Sequence, residues 1–505
     1  MNLKSFNRVL VANRGEIAVR VIRACREAGL ESVAIYSDAD AHSKHVAFAD
    51  FSFHVGTAPS SESYLRAEYI LEQALDMGCD AVHPGYGFLS ENATFARAVM
   101  DAGMVWIGPP PAAIDDMGSK TRARQVMKAA GVPVVPGTVE PCASVEEALE
   151  IAQGVGYPVM LKAAMGGGGK GMRRIDAAEA LPNALRAAQS EASKSFGDDA
   201  VYIEKLVVNP RHVEIQVLAD GHGTVVHLFE RDCSIQRRHQ KVVEEAPCPV
   251  LPEHTRQAMA AAACDAARAV QYVGAGTVEF LLAEDGAFYF LEMNTRLQVE
   301  HPITEMITGI DLVQAQFRVA SGEPLWFTQD SLSVHGHSIE CRIYAEDIRH
   351  QFRPSPGYIY EYQEPQGPFV RVDSGVGRDT EVPIHYDPMV AKLVVWGNDR
   401  DEAIRRCRRA LQEFVVVGIP TTIPLFHAIL DDARFQSGEY NTSFLSPEWL
   451  ASEVESGEEV DETLLAFIAL MKEEKITSVM SEATGGGDQS GSAWKRHLGW
   501  KRTRR

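Results

Sequence analysis

Thr277-Val-Glu-Phe-Leu281 and Phe290-Leu-Glu-Met-Asn-Thr-Arg-Leu-Gln-Val-Glu-His-Pro302 lie on either side of a short turn, Glu284-Asp-Gly286. Aromatic and β-branched residues surround Glu279 and Glu292, so both segments read as strands joined by a hairpin turn. In such a hairpin the two carboxylates can face each other. With the amide of Asn294 they form an oxygen-rich group inside apolar strands, costly to bury without a counter-charge. Hard Mg²⁺ takes oxygen ligands of this kind alongside nucleotide phosphates, and a lysine or arginine salt bridge would satisfy the same carboxylates. Both readings stand on the hairpin alone. The polar run Asn294-Thr-Arg296-Leu-Gln298-Val-Glu300-His301-Pro302 follows at the strand end, where sheet enzymes place their sites, and packing does not explain such density.

Upstream, Met165-Gly-Gly-Gly-Gly-Lys170-Gly-Met172 sets four glycines in a row, whose amides can approach phosphate oxygens without side-chain obstruction. The tract matches neither the Walker spacing nor a GxGxxG turn, and a hairpin tip explains it equally well. Lys120 and Lys162 stand at the start of this region and just before the tract, where ammonium groups can neutralise a triphosphate. Strands are expected near 200–204, 212–218, 277–281 and 287–292, with a helix over 311–320.

The first ~115 residues alternate strand and helix. Residues 8–12 read as a buried strand, Glu16 to Ala28 as a helix stopped by Gly29, and 32–36, 81–83 and 105–108 as further strands of an open parallel sheet. Residues from about 335 to 446 read as a strand-rich unit containing an amphipathic helix over 400–415, and the compact fold is expected to stop near Pro447. Beyond it come an acidic stretch over 453–462, a helix-like 463–474, a polar tract over 485–492 and a basic end.

The run from Glu292 to Pro302, together with His83-Pro-Gly-Tyr-Gly-Phe-Leu-Ser-Glu-Asn92 and Arg231-Asp-Cys-Ser-Ile-Gln-Arg-Arg-His-Gln-Lys241, resembles the biotin carboxylase signature of the ATP-grasp superfamily over roughly residues 5 to 446. Another ATP-grasp carboxylate–amine ligase would share the glycine loop and metal carboxylates but not the Arg296 to Glu300 arrangement. A non-catalytic nucleotide-binding regulator is disfavoured because ligands, base and arginine clamp are all present. The resemblance implies an α/β and α+β fold: a Rossmann-like parallel sheet over 1–116, an ATP-grasp domain over 117–334 with a mobile lid near 134–204, a strand-rich C-terminal domain over 335–446, and an extension over 447–505.

It also implies roles. ATP would lie against Glu204, Lys205, Leu206, His212, Gln236 and Leu281, its phosphates between Lys120, Lys162, His239 and Gly166, Gly167, Gly168 and Gly169. Mg²⁺, or Mn²⁺, would take Glu279, Glu292 and Asn294. Bicarbonate would take Lys241, Arg296, Gln298, Val299 and Glu300, with Glu300 as general base, and Arg342 would serve biotin. From the residues alone, Glu300 reads as a helix cap ahead of Pro302 and Arg342 as a salt bridge to Glu340 or Glu346.

Biotin is usually attached at a lysine in Met-Lys-Met, whereas here Met471-Lys472-Glu473 stands in an acidic setting. The expected substrate is therefore biotin on a separate biotin carboxyl carrier protein, with carboxyltransferase subunits as further partners and a homodimer by analogy. The 368–396 segment looks nearer to acyl-CoA or two-subunit pyruvate carboxylases than to the shortest stand-alone subunits, and does not choose the acceptor.

Composition bounds the rest. The 505 residues carry a net charge of −20, with 45% hydrophobic and 23% charged residues, as expected for a large soluble protein of about three domains. That charge disfavours nucleic acid and anionic membranes, and no apolar run approaches the ~18 residues of a span. Eight cysteines without a CxxC pair read as reduced thiols, and the N-terminus shows no signal-peptide pattern, so a cytoplasmic enzyme is expected.

Overall fold

The computed structural model describes residues 6–138, 141–142, 144–163, 172–196 and 200–453. The glycine tract 166–169 and the expected helix over 463–474 lie outside them. The described residues up to 445 form one compact unit, and those from 446 belong to a second, in which Pro447–Glu453 is helical.

Arg8–Val11 (β1) is central to the first sheet because its aliphatic residues are buried on both faces. Val9 and Val11 pack towards the helix Gly15–Glu27, and Leu10 packs into the opposite core with Ile70 and Phe95. Glu31–Ser37 (β2), Phe51–Gly56 (β3), Ala81–His83 (β4) and Val105–Trp106 (β5) complete a parallel sheet in the order β3-β2-β1-β4-β5. The strand expected over 105–108 stops at Trp106. Gly29, with φ of +72°, takes the left-handed turn that ends the first helix.

Val159–Ala163 (β6), Met172–Ile175 (β7) and Val201–Lys205 (β8) form a small antiparallel sheet ordered β7-β6-β8. The helices Val145–Val155 and Leu181–Phe196 supply its core with Ala148, Ala152, Leu181 and Leu185.

The third sheet carries the polar residues of interest. Arg211–Ala219 (β9), Val225–Arg237 (β10), Gln240–Ala246 (β11), Gly274–Leu282 (β12), Phe288–Asn294 (β13), His337–Tyr344 (β14), Val370–Ser374 (β15) and Met389–Gly397 (β16) pair antiparallel in the order β13-β12-β9-β10-β11-β14-β16-β15. The expected division near residue 335 thus falls between strands of one continuous sheet, joined where Val243 pairs with Cys341 and Glu244 with Glu340.

The helix expected over 400–415 ends at Glu413. Val415–Val417 instead pairs with Glu361–Gln363, as three consecutive β-branched residues favour a strand. All eight cysteines are buried free thiols. Among the described residues, no helix is long and apolar enough to cross a membrane.

Candidate active site

Strand register builds the site. On β12 and β9, Thr277, Glu279 and Leu281 stand opposite Gln216, Glu214 and His212, and on the other side Glu279 stands opposite Glu292 and Thr277 opposite Asn294. Because alternate residues share a face, His212, Glu214 and Gln216 join Thr277 and Glu279 in one polar layer. The hairpin expected at 284–286 thus brings Glu279 and Glu292 together. Glu279 is buried and accepts hydrogen bonds from Asn294 at 2.8 Å and Gln298 at 2.7 Å, while Glu292 is exposed.

Lys241, at the start of β11, brings its ammonium to Glu214 at 2.5 Å, Glu300 at 2.6 Å and Glu279 at 2.8 Å. Burial disfavours a charged lysine, but these three carboxylates outweigh it and raise its pKa well above the usual value. The lysine salt bridge anticipated for Glu279 is therefore present. His212 adds a contact of 2.8 Å to Glu279, whose charge raises the imidazole pKa against the opposing effect of burial.

Glu300 precedes the helix His301–Thr308 but makes no capping hydrogen bond. Its carboxylate lies between Lys241 and Arg342, the latter at 2.9 Å. Burial pushes the Glu300 pKa up, yet Lys241, Arg342 and Arg231 together bring it well below the ordinary range. Arg342 pairs with Glu244 at 2.5 Å and with Glu300, not with Glu340 or Glu346, and Glu346 pairs with Arg237 instead.

Arg296, just past the end of β13, donates to Asn294 at 2.7 Å and to Glu91 of the HPGYGFLSEN motif at 2.9 Å. The Val299 carbonyl accepts from Lys392 at 2.8 Å.

The other candidates occupy the surroundings. Lys162 and Arg124 both hold the Glu204 carboxylate, while Lys205 and Leu206 donate backbone bonds to the Pro136 and Pro158 carbonyls. Gln236 bonds His212 at 2.9 Å, and His239 is exposed in the left-handed turn between β10 and β11. Lys120 is exposed at the first position of the helix Lys120–Ala129, close enough for its charge to act on Glu292.

Several residues of the cluster escape a reading of the sequence. Arg231 is fully buried and donates to Glu214, Gln216, Thr304, Thr277 and Gln298 at 2.6 to 3.1 Å, which uses all five guanidinium donors. Glu214 pairs with Arg231 and Lys241, Glu244 with Arg342, and Glu91 with Arg296. Arg231 lies within the 231–241 motif and Glu214 alternates with His212, and those were the signals available.

Three family models tile the chain: "Biotin carboxylase, N-terminal domain" over 5–114, "Carbamoyl-phosphate synthase L chain, ATP binding domain" over 119–328, and "Biotin carboxylase C-terminal domain" over 340–447. The chain is 50% identical over 440 residues to the biotin carboxylase of a Nostoc species, covering 87% of this chain and 98% of that one. The chain belongs to the biotin carboxylase family. It is an ATP-dependent carboxylase. A pyruvate carboxylase subunit from Methanothermobacter thermautotrophicus is a second relative, 52% identical over 440 residues that cover 87% of this chain and 89% of that one. Among solved structures, the biotin carboxylase domain dimer of Hydrogenobacter thermophilus 2-oxoglutarate carboxylase, in complex with MgADP, ADP and bicarbonate, aligns with a TM-score of 0.83 at 46% identity, covering 90% of this chain and all of that one.

Proposed function

We propose that this chain carboxylates biotin carried on a separate biotin carboxyl carrier protein, using ATP and bicarbonate, as the first half-reaction of an acyl-CoA carboxylase acting on acetyl-CoA or propionyl-CoA. The observation that carries the reading is Glu300 held between Lys241 and Arg342 at the edge of the Glu279–Glu292 hairpin. A base there can take the bicarbonate proton, with Arg342 beside it to face the biotin ureido oxygen. Carboxyltransferase subunits would complete the enzyme, and a homodimer is the proposed assembly, supported by the dimer named for the Hydrogenobacter domain. The similarity to the Methanothermobacter pyruvate carboxylase chain favours a second reading in which pyruvate is the acceptor.

The all-oxygen donor set of Glu279, Glu292 and Asn294, on paired strands, fits Mg²⁺ or Mn²⁺. Bound there beside ATP, the ion would neutralise charge on the phosphate oxygens. Adenine would lie against Glu204, Lys205, Leu206, His212, Gln236 and Leu281, and Lys120, Lys162, His239 and Gly166 to Gly169 would hold the phosphates.

Arg296, Gln298, the Val299 backbone and Lys241 would bind bicarbonate, with the guanidinium engaging two oxygens together. Glu300 takes the bicarbonate proton and a bicarbonate oxygen attacks the γ-phosphorus. The bond to ADP breaks, leaving carboxyphosphate. A carboxylate with so low a pKa is charged at neutral pH but weakly basic. Its basicity rises as Lys241 turns to bicarbonate and removes a counter-charge. Carboxyphosphate then gives CO₂ and phosphate, phosphate takes the ureido N–H proton, Arg342 donates to the ureido oxygen, and the freed nitrogen bonds CO₂.

The test is ADP release with bicarbonate and free biotin. With Arg342→Ala, bicarbonate-dependent ATP cleavage should persist at least in part while carboxybiotin formation collapses. Equal loss of both activities contradicts the separate roles.

A further inference from the structure

Lys392 on β16 is fully buried, yet it lies outside the ring of charges around Glu300. It stands opposite Arg342 on β14 and opposite Asp373 on β15. Its ammonium meets Glu16 at 3.3 Å and Asp373 at 3.7 Å, and donates to the Val299 carbonyl at 2.8 Å. Glu16 in turn accepts from the Tyr86 hydroxyl, and Asp373 is paired with Arg371 at 2.7 Å.

The sequence leaves the Val299 carbonyl in need of such a donor. At the start of the helix His301–Thr308, the amide three residues on belongs to Pro302, which has no N–H, and the next, that of Ile303, donates to the Glu300 carbonyl. A lysine brought in from a distant strand supplies what the local chain lacks. Farther along, Arg20 and Arg371 hold the same helix through Glu305 at 2.9 and 2.6 Å, so cations from outside it secure both its approach and its body.

We propose that Lys392 is a positioning residue for the bicarbonate step: its ammonium fixes the Val299 carbonyl, and with it the peptide that carries the Val299 backbone and leads into Glu300. This rests on the assignment of bicarbonate to Arg296, Gln298, Val299 and Glu300 proposed above. Glu16 and Asp373 keep the ammonium charged and aimed. Displaced groups hold bicarbonate less well, so loss of the clamp is felt as weaker bicarbonate binding and not at the nucleotide.

The experiment uses the full chain and measures ADP release with free biotin while ATP and bicarbonate are varied separately. Glu16→Gln with Lys392→Met removes both charges of the buried pair and leaves Asp373 with Arg371. Bicarbonate KM should rise at least about tenfold while ATP KM changes less than about twofold. Lys392→Arg keeps the buried charge but moves the donor, and should shift bicarbonate KM the same way by a smaller factor. In whichever variant is folded, an unchanged bicarbonate KM, an equal rise in both KM values, or a fall in kcat alone overturns the proposal. If the parent chain itself shows no bicarbonate-dependent ATP cleavage, the assignment of the bicarbonate site fails instead.

Discussion

Arg231 carries more of the site than its place in the sequence suggests. With all five donors used, its removal leaves the Glu214 carboxylate to Lys241 and releases Gln298, one of the residues proposed for bicarbonate. Arg231→Leu should cost about 3–5 kcal/mol of stability in urea denaturation, because a buried carboxylate loses one of its two close counter-charges and four buried polar groups lose a donor. Glu245 offers a pH test at the same scale. It accepts from His337 at 2.6 Å and Arg400 at 2.7 Å, and although burial would raise its pKa, these partners bring it down to about 2. A lowered carboxylate contributes stability that is whole above pH 4.5 and is lost as pH falls towards 2, worth roughly 3 kcal/mol in all. The stability difference between the parent and Glu245→Gln should therefore shrink by about 2 kcal/mol between pH 6 and pH 3.

Among the elements, β8 lies where it does because a neighbour lacks a side chain. Gly137 bridges to Glu204, and a Cβ at Gly137 would lie 2.2 Å from the Ile203 carbonyl oxygen and 2.8 Å from the Glu204 Cα. Neither backbone atom can give way alone. Gly137→Ala should push β8 outwards and carry Glu204 from Lys162 and Arg124. The expected outcome is an ATP KM raised about tenfold with little change in bicarbonate KM, read from initial rates of ADP release. The hairpin β12–β13 was the most legible element, because turn chemistry and flanking β-branched residues agree. The glycine tract predicted a phosphate-covering loop, and it lies outside the described residues.

For the whole molecule, the continuous sheet makes the region beyond residue 335 part of the site's foundation. Ending the chain at residue 334 would remove β14 to β16, taking Arg342 and Lys392 and leaving β11, with its central lysine, as an open edge. Such an edge invites aggregation. A 1–334 fragment should be insoluble or lack a cooperative unfolding transition, whereas 1–445 should unfold as one unit by calorimetry.

The sequence by itself determined the parallel N-terminal sheet, the Glu279–Glu292 hairpin, and the polar run ending at Pro302, because each depends on local periodicity, turn residues or an unbroken motif. Tertiary structure alone decided which charge meets which. Glu300 could have capped its helix and Arg342 could have paired with Glu340, and neither does. Lys241, Arg342 and Lys392 reach one region from three different strands. Sheet order and register bring such groups together, and no spacing along the chain encodes a contact between strands so far apart in sequence.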